Sequence, residues 1–360
     1  MQISSEQLAQ LGAIGWRAET LLPADADGKL VRVIAQHRNG YRVHDGMEEF
    51  GAQPAPRFLK RDADPQIRPA VGDFVLLAPV GAPLIETVLP RRSLLTRAAA
   101  GERYQRQSIA ANVDSVIVLM GLDGDFNPRR IERYLLLIEG SGALPVIVLS
   151  KQDMLSADNC AAAIAAMHEV VPAQTPVFAI NAKDAESVAV LLPFLGAGAS
   201  VVLVGSSGAG KSTLTNTLIG HQRQATGEVR EHDSRGRHTT THRALIQLPS
   251  GGCLIDTPGM RELKLTGDED LAAASFADID ALAQTCRFSD CAHAAEPGCA
   301  ILAALASGEL DQGRWDSYIK LRDERDAASD SLEAQLKRKA EGRVPGKALN
   351  KRTAEKYGRS

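Results

Sequence analysis

The chain has 360 residues, 44% of them hydrophobic and 24% charged, with a formal net charge of −3. That length suits two or three separately cored domains, and the near-neutral balance excludes a uniformly basic nucleic-acid binder, leaving only local patches for such contacts. No run of about 18 apolar residues occurs and Met1-Gln-Ile-Ser-Ser-Glu6 has no basic or apolar leader, so neither secretion nor membrane spanning is expected.

Residues 1–25 read as a short arm, in which Leu8, Leu11, Ile14 and Trp16 can cover a neighbouring domain. From 28 to 89 the pattern is one of short β-type runs: Leu30–Ala35, Gly40–Val43, Arg57–Lys60, Asp73–Leu77 and Leu84–Leu89. Short strands so closely spaced predict a small OB-type barrel. Arg32, Arg42, Arg57, Lys60, Arg61 and Arg68 can serve as phosphate contacts, or as the solvated face of a purely structural barrel. The stretch Leu89–Gly101 reads as a linker.

From Asp114 onward, buried-type strands alternate with helices. Val116–Met120, Val146–Leu149, Val177–Ile180, Val201–Val204, Ala244–Leu248 and Cys253–Ile255 are apolar runs of parallel-sheet character. Asn127, Pro128 and Gly140 suit the cap, first turn and exit of a helix whose stripe is Ile131, Tyr134, Leu135 and Ile138. The pattern predicts a three-layer α/β domain over 112–262, with ligands at the carboxyl ends of its strands.

One strand runs directly into Gly205-Ser206-Ser207-Gly208-Ala209-Gly210-Lys211-Ser212, with Thr213 following, which matches G-x-x-x-x-G-K-[ST]. Glycines let successive N–H groups converge on phosphate oxygens, and the next helix points its N-terminal dipole at them. Lys211 is expected on the β/γ-phosphates and Ser212 on Mg²⁺. Ser150-Lys151-Gln152-Asp153 ends the strand at 146–149. A carboxylate there can accept from N1–H and the 2-amino group of guanine, whereas adenine would leave it unpaired. Asp256-Thr257-Pro258-Gly259 ends another strand, where Asp256 can hold Mg²⁺ through water and the Gly259 N–H can meet a γ-phosphate. Between them, Arg235-Gly-Arg-His-Thr-Thr-Thr241 offers a threonine, Thr240, to the same Mg²⁺, making a triphosphate-sensitive switch; an edge strand is the other reading of these threonines.

A standard GTPase runs phosphate loop, switch threonine, D-x-x-G, then base motif. Here the base motif at 150–153 and the segment Asn181-Ala182-Lys183 precede Gly205, so the domain is circularly permuted and its second switch runs straight into the C-terminal domain. Past Glu262 the chain is helical, with Ile301–Ser307 and Trp315–Leu336 as helices. Three of the five cysteines fall in Cys286-x₄-Cys291-x-His293-x₅-Cys299, whose three thiolates and imidazole make a closed tetrahedral Zn²⁺ shell of structural type. Cys160 and Cys253 read as core residues. From Lys337 the chain is basic and rich in helix breakers, a tail expected to be disordered alone.

This order of parts resembles the ribosome small-subunit-dependent GTPase family of RsgA type. The likeness covers nearly the whole chain and includes Leu89-Pro-Arg-Arg-Ser, Ile109-Ala-Ala-Asn-Val-Asp114, Gly236-Arg-His-Thr-Thr-Thr241 and Cys286-Arg-Phe-Ser-Asp-Cys. It implies a cytoplasmic GTPase that acts late in maturation of the small (30S) subunit and is stimulated by it. The barrel and zinc domain would contact 16S-type rRNA, with the tail as a further RNA-binding extension. The expected division is an arm plus OB-type barrel (1–95), a circularly permuted P-loop GTPase domain (96–264), a helical zinc-binding domain (265–336) and a basic tail (337–360). A monomer is expected, with GTP/GDP, Mg²⁺ and one Zn²⁺ as ligands and no membrane contact. Two features qualify the resemblance: Ser150 stands where the family usually has Asn and is too short for the same hydrogen bonds, and Met260 follows D-x-x-G in place of a water-orienting Gln, which is itself like the family, where a hydrophobic residue sits at this place. Slow free turnover is then expected, with His238 either orienting water or contacting RNA. A P-loop ATPase or nucleotide kinase, and an RNA-binding protein with a regulatory nucleotide site, stay open as other classes.

Overall fold

The computed structural model describes residues 5–17, 22, 28–37, 39–60, 65–98, 106–220, 244–256 and 275–330. Short, β-branched and aromatic-rich runs in the first part form β1 (Lys29–His37), β2 (Gly40–His44), β3 (Glu49–Pro54), β4 (Phe74–Leu77) and β5 (Leu84–Val88). They pair in the order β1-β2-β3-β5-β4, and β1 also pairs with β4, closing a five-stranded barrel. Val31, Val33, Tyr41, Val43, Val75, Leu77 and Ile85 fill its interior. Outside it, α1 (Ser5–Gly12) and the turn after it lay Leu11, Ile14 and Trp16 on Leu30, Phe74 and Leu76.

Two expectations are corrected in this region. Arg57–Lys60 is not a strand: Pro56 starts a single helical turn, α2 (Pro56–Leu59), because its fixed φ suits a first helical position. The strand lies earlier, in the Gly- and Gln-containing segment of β3, which lacks an apolar alternation. Nor is 89–101 a plain linker. Its described part contains β6 (Leu94–Ala98), which pairs antiparallel with β7 (Arg106–Ala111) and buries Leu95, Ile109 and Ala110 in the core beside α3 (Pro128–Glu139).

The remaining strands are β8 (Ser115–Gly121), β9 (Leu144–Ser150), β10 (Val177–Ala179), β11 (Ser200–Gly205), β12 (Ala244–Gln247) and β13 (Cys253–Asp256), in the order β10-β9-β8-β11-β13-β12. The helices α4 (Ala157–His168), α5 (Ala185–Val188) and α6 (Lys211–Ile219) join α3 in the connections. All strand pairs in this set are parallel except that of β12, whose antiparallel pairing follows from the short turn joining it to β13. At α3, Pro128 occupies the first turn, but Asn127 makes no side-chain cap bond. The residue with positive φ after this helix is Gly142 rather than Gly140.

β1 also pairs with β12 at Ala35–Ala244, so the barrel continues the sheet. The joint is charged. Arg32 is fully buried, donating from Nε to the Gly72 carbonyl at 3.1 Å, from Nη2 to Ser200 Oγ at 2.9 Å, and from Nη1 to the Ile14 carbonyl. It cannot reach RNA phosphate, which removes it from the candidate contacts. Burial pushes its pKa below the ordinary arginine value. Arg91 grips Asp73 with two bonds of 2.7 Å, Arg92 meets Asp114 at 2.8 Å, and Asp114 accepts the Ser200 N–H at 2.8 Å. The segments Leu89–Ser93 and Ile109–Asp114 are therefore the seam between barrel and α/β sheet.

On the other side, α7 (Ala277–Ala283), α8 (Ala300–Ser307) and α9 (312–330) pack against α3. Phe276, Ile279, Ile301, Trp315 and Leu321 share one core with Ile131 and Leu135. Buried Glu132 accepts from Arg129 at 3.0 Å, Arg314 at 3.3 Å and the Ser317 hydroxyl, while Arg133 holds Glu324 at 2.8 and 2.6 Å. Among the described residues no helix is long and apolar enough to cross a membrane. Replacing the seam's central cation, Arg32→Ala, strands several buried acceptors and should lower the unfolding free energy by roughly 3 kcal/mol in urea titration. An unchanged midpoint would show that the seam does not rest on this residue.

Candidate functional site

The carboxyl ends of β8, β9, β10, β11 and β13 lie at one edge of the parallel sheet, the edge where α/β folds bind ligands. The phosphate loop begins there. Gly205 has φ +144°, and a Cβ on it would lie 2.2 Å from the Leu119 carbonyl oxygen, so no other residue fits. Gly208 and Gly210 have φ of +83° and +91°, and Gly210 is the cap of α6. Lys211 and Ser212 open α6, with Thr213 in the same turn, so their backbone N–H groups are among the orphan donors of a helix N-terminus. The Lys211 amine donates to the carbonyls of Gly205 at 2.7 Å and Ser206 at 2.5 Å, which holds it at the mouth of the loop. Ser207 and Gly208 are exposed at the rim, and Ala209 is buried beneath it.

The segment at 150–153, expected from the sequence to read the base, is fastened to this loop. Ser150 is fully buried, and its Oγ donates to the Ala209 carbonyl at 2.6 Å. A Cβ on Gly210 would lie only 3.5 Å from Ser150 Oγ, so the loop backbone comes in to the hydroxyl. Lys151 follows in a left-handed conformation, φ +65°, and its ammonium pairs with Asp123. Gln152 and Asp153 lie in a 3-10 turn, Gln152 half-buried and anchored by its N–H on the Ile180 carbonyl at 3.1 Å, Asp153 exposed. Asn181 Oδ1 accepts the Lys183 N–H at 3.1 Å, folding the 181–183 segment into an Asx turn. The Ala182 carbonyl accepts from Thr217 Oγ1 of α6 at 2.6 Å, so this segment also rests on the phosphate-loop helix.

Asp256 ends β13 half-exposed at the same edge. Thr240, His238 and Gly259 lie outside the described residues. Two acidic residues went unnoticed in the sequence, Asp123 and Asp125, in the loop after β8. Asp125 accepts from the Ser206 hydroxyl of the phosphate loop and pairs with Arg130 of α3. The signal that would have found them is their place just past the carboxyl end of a parallel strand.

The four donors of Cys286, Cys291, His293 and Cys299 lie within 4.8 Å of one another. His293 Nδ1 is 3.6 Å from Cys286 Sγ and 3.4 Å from Cys299 Sγ, and those two sulfurs are 4.0 Å apart. Sulfurs about 2.3 Å from a tetrahedral ion would stand about 3.8 Å apart, so the set fits zinc with no open position. The N–H groups of Ala300 and Leu302, at the start of α8, point at Cys286 and Cys299 at 3.4 and 3.5 Å. Such outer contacts suit anionic thiolates. Glu296 shapes the ligand loop, its carboxylate accepting from its own N–H and from those of Ala295, Ala294 and Ala292, which holds it down at about 2. His293 packs edge-on to Trp315 of α9, 5.8 Å between centroids.

Ser150→Ala keeps the fold but leaves the buried Ala209 carbonyl without that donor, a loss of about 1–3 kcal/mol in unfolding free energy. Wild-type stability by denaturant titration would mean that the two loops are not joined through this hydroxyl.

Comparison with known proteins agrees with this geometry. Residues 88–266 match the family model described as RsgA GTPase. The Small ribosomal subunit biogenesis GTPase RsgA of Xanthomonas axonopodis pv. citri is 50% identical over 357 residues, covering 96% of this chain and 97% of that protein. Its counterpart from Xanthomonas oryzae pv. oryzae is 52% identical over 333 residues, covering 92% and 90%. Among solved structures, YjeQ from Thermotoga maritima superposes with a TM-score of 0.59 at 26% identity, covering 82% of this chain and 98% of that one. YloQ, described as a circularly permuted GTPase, shares the fold with a TM-score of 0.57 at 24% identity, covering 86% and 98%. With its phosphate-loop motif downstream of the S-K-Q-D motif at 150–153, and relatives matched along almost its whole length, the chain is a circularly permuted GTPase that belongs to the RsgA family.

Proposed function

We propose that this GTPase acts late in maturation of the small (30S) ribosomal subunit and that binding to that subunit stimulates its hydrolysis. The observation that supports a single nucleotide site in this reading is the bond from Ser150 to Ala209, which ties the segment at 150–153 to the phosphate-loop motif. The relatives supply the biological setting, being named small ribosomal subunit biogenesis GTPases.

In this reading Asp153 accepts from N1–H and the 2-amino group of guanine, while Ser150, Lys151, Gln152 and the 181–183 segment frame the base. The N–H groups of residues 206–213 and the Lys211 ammonium take the phosphates. Ser212, Thr240 and, through water, Asp256 would hold Mg²⁺, which neutralises charge on the β- and γ-oxygens. Met260 cannot orient a water molecule, so His238 is assigned that task. Gly259 provides an N–H to the γ-phosphate. Cys286, Cys291, His293 and Cys299 hold one structural zinc, fastening the ligand loop to α8 and α9. The barrel and the zinc-bearing helices contact 16S-type rRNA, and 337–360 adds a basic RNA-binding extension. The protein works in the cytoplasm as a monomer, away from membranes, and cycles between GTP and GDP.

The test is steady-state phosphate release from GTP by the full chain, alone and with each purified ribosomal subunit. Because completing a GTPase site in trans raises turnover by large factors, the small subunit should accelerate release by about tenfold or more and the large subunit should not. Lys211→Ala should abolish the accelerated turnover. No rise above the free rate would make the protein an RNA binder with a regulatory nucleotide site. Equal turnover of ATP would make it an ATPase.

A further inference from the structure

We infer that Asp123 is a positioning residue for the nucleotide base: it fixes the Lys151 side chain across the base site. The inference rests on the reading of residues 150–153 as the guanine site. Lys151 has a backbone conformation that L-residues with long side chains seldom adopt, so its direction is set by its surroundings rather than by its own preference. Those surroundings hold both ends. At the backbone, the carbonyl of Ser150 accepts the Leu122 N–H at 2.9 Å and that of Lys151 accepts the Met154 N–H at 3.0 Å. At the tip, the ammonium pairs with Asp123 Oδ2.

The loop after β8 is built to present that carboxylate. Asp123 Oδ1 accepts the Asp125 N–H at 3.1 Å, and its carbonyl accepts the Phe126 N–H at 2.9 Å. A Cβ on Gly121 would lie 2.6 Å from Asp123 Oδ1 and 3.4 Å from Lys151 Nζ, so the absence of a side chain there makes room for the pair. Asp123 and Lys151 each keep 29% of their side-chain surface exposed, which leaves the lysine stem accessible to a planar ligand while its tip stays tethered. Burial opposes the Asp123 charge, but the Lys151 hydrogen bond and the turn N–H outweigh it and hold the carboxyl below its usual range. A tethered stem is a preformed wall for a purine face. An untethered lysine would be ordered only on binding, at the expense of affinity.

The test measures GDP and IDP dissociation constants by calorimetry for the full chain and for Asp123→Asn, Asp123→Glu, Lys151→Ala and the double variant Asp123→Asn/Lys151→Ala. Asparagine keeps an acceptor for the Asp125 N–H but replaces the oxygen that Lys151 donates to with an NH₂ donor, removing both the charge and that bond. The inference predicts that Asp123→Asn weakens GDP roughly three- to tenfold and adds nothing in the Lys151→Ala background. IDP, which lacks the 2-amino group, should weaken by the same factor, and Asp123→Glu should recover most of the loss. Wild-type affinity in Asp123→Asn, or a penalty that adds in full to that of Lys151→Ala, would overturn it. So would a loss confined to GDP, which would place Asp123 on the base edge. Failure of the unmodified chain to prefer GDP over ADP would overturn the reading of the site itself, a separate result.

Discussion

A single hydroxyl, Ser150 Oγ, joins the two segments proposed to form the nucleotide site. The strands that carry them, β9 and β11, are not neighbours; β8 lies between them. At about 4.8 Å per strand the two ends are separated by nearly 10 Å, so the loops must arch over the end of β8 to meet. Gly205 and Gly210 permit the arch, one by approaching the Leu119 carbonyl and the other by bringing the loop down on Ser150. Thr217 adds a second tie from α6 to the segment at 181–183. The segments assigned to base and phosphate therefore rest on one another before any ligand arrives, which is the pre-organisation that tight nucleotide binding needs.

The same edge is wired to the rest of the molecule by the loop after β8. Asp125 touches the phosphate loop at Ser206 and pairs with Arg130 at the start of α3. Three residues on, Arg133 holds Glu324, and Glu132 gathers Arg314 and Ser317 from the C-terminal helices. In sequence, the segment after Asp256 leads to the same helices. The permutation thus links the phosphate-loop motif to the part that carries the Cys/His cluster by two routes, one along the chain and one through α3. The barrel is held differently, fastened to the sheet edge by the buried arginine seam and the β1–β12 pairing.

Much of this was legible because its chemistry forces a pattern. Phosphate cradling needs glycines at fixed offsets before a Lys-Ser pair, and a tetrahedral metal needs four soft donors in a short span; both stood out as strings. The apolar runs of β8, β9 and β11 were equally plain, being buried on both faces. What was hidden depended on tertiary context. Arg32 looked like any surface cation, and only the carbonyls of Ile14 and Gly72 and the hydroxyl of Ser200 make its burial tolerable. β3 has too few apolar residues to announce a strand, and its pairing with β2 supplies what its own composition lacks. β6 falls in a stretch that reads as a linker because Pro90 and the arginines at 91, 92 and 97 mask a short strand. The bond of Ser150 to the Ala209 carbonyl depends on the approach of the loop, which side-chain length alone does not show, and no motif names Asp123.

The central claim is that residues 150–153 and 205–213 form one guanine nucleotide site, and a structure of the full chain with Mg²⁺ and a non-hydrolysable GTP analogue tests it most directly. The account predicts the Asp153 carboxylate at about 3 Å from both N1 and the 2-amino nitrogen of guanine, with the β-phosphate enclosed by the N–H groups of the phosphate loop. A base lying away from Asp153, or phosphates outside the loop, would contradict it.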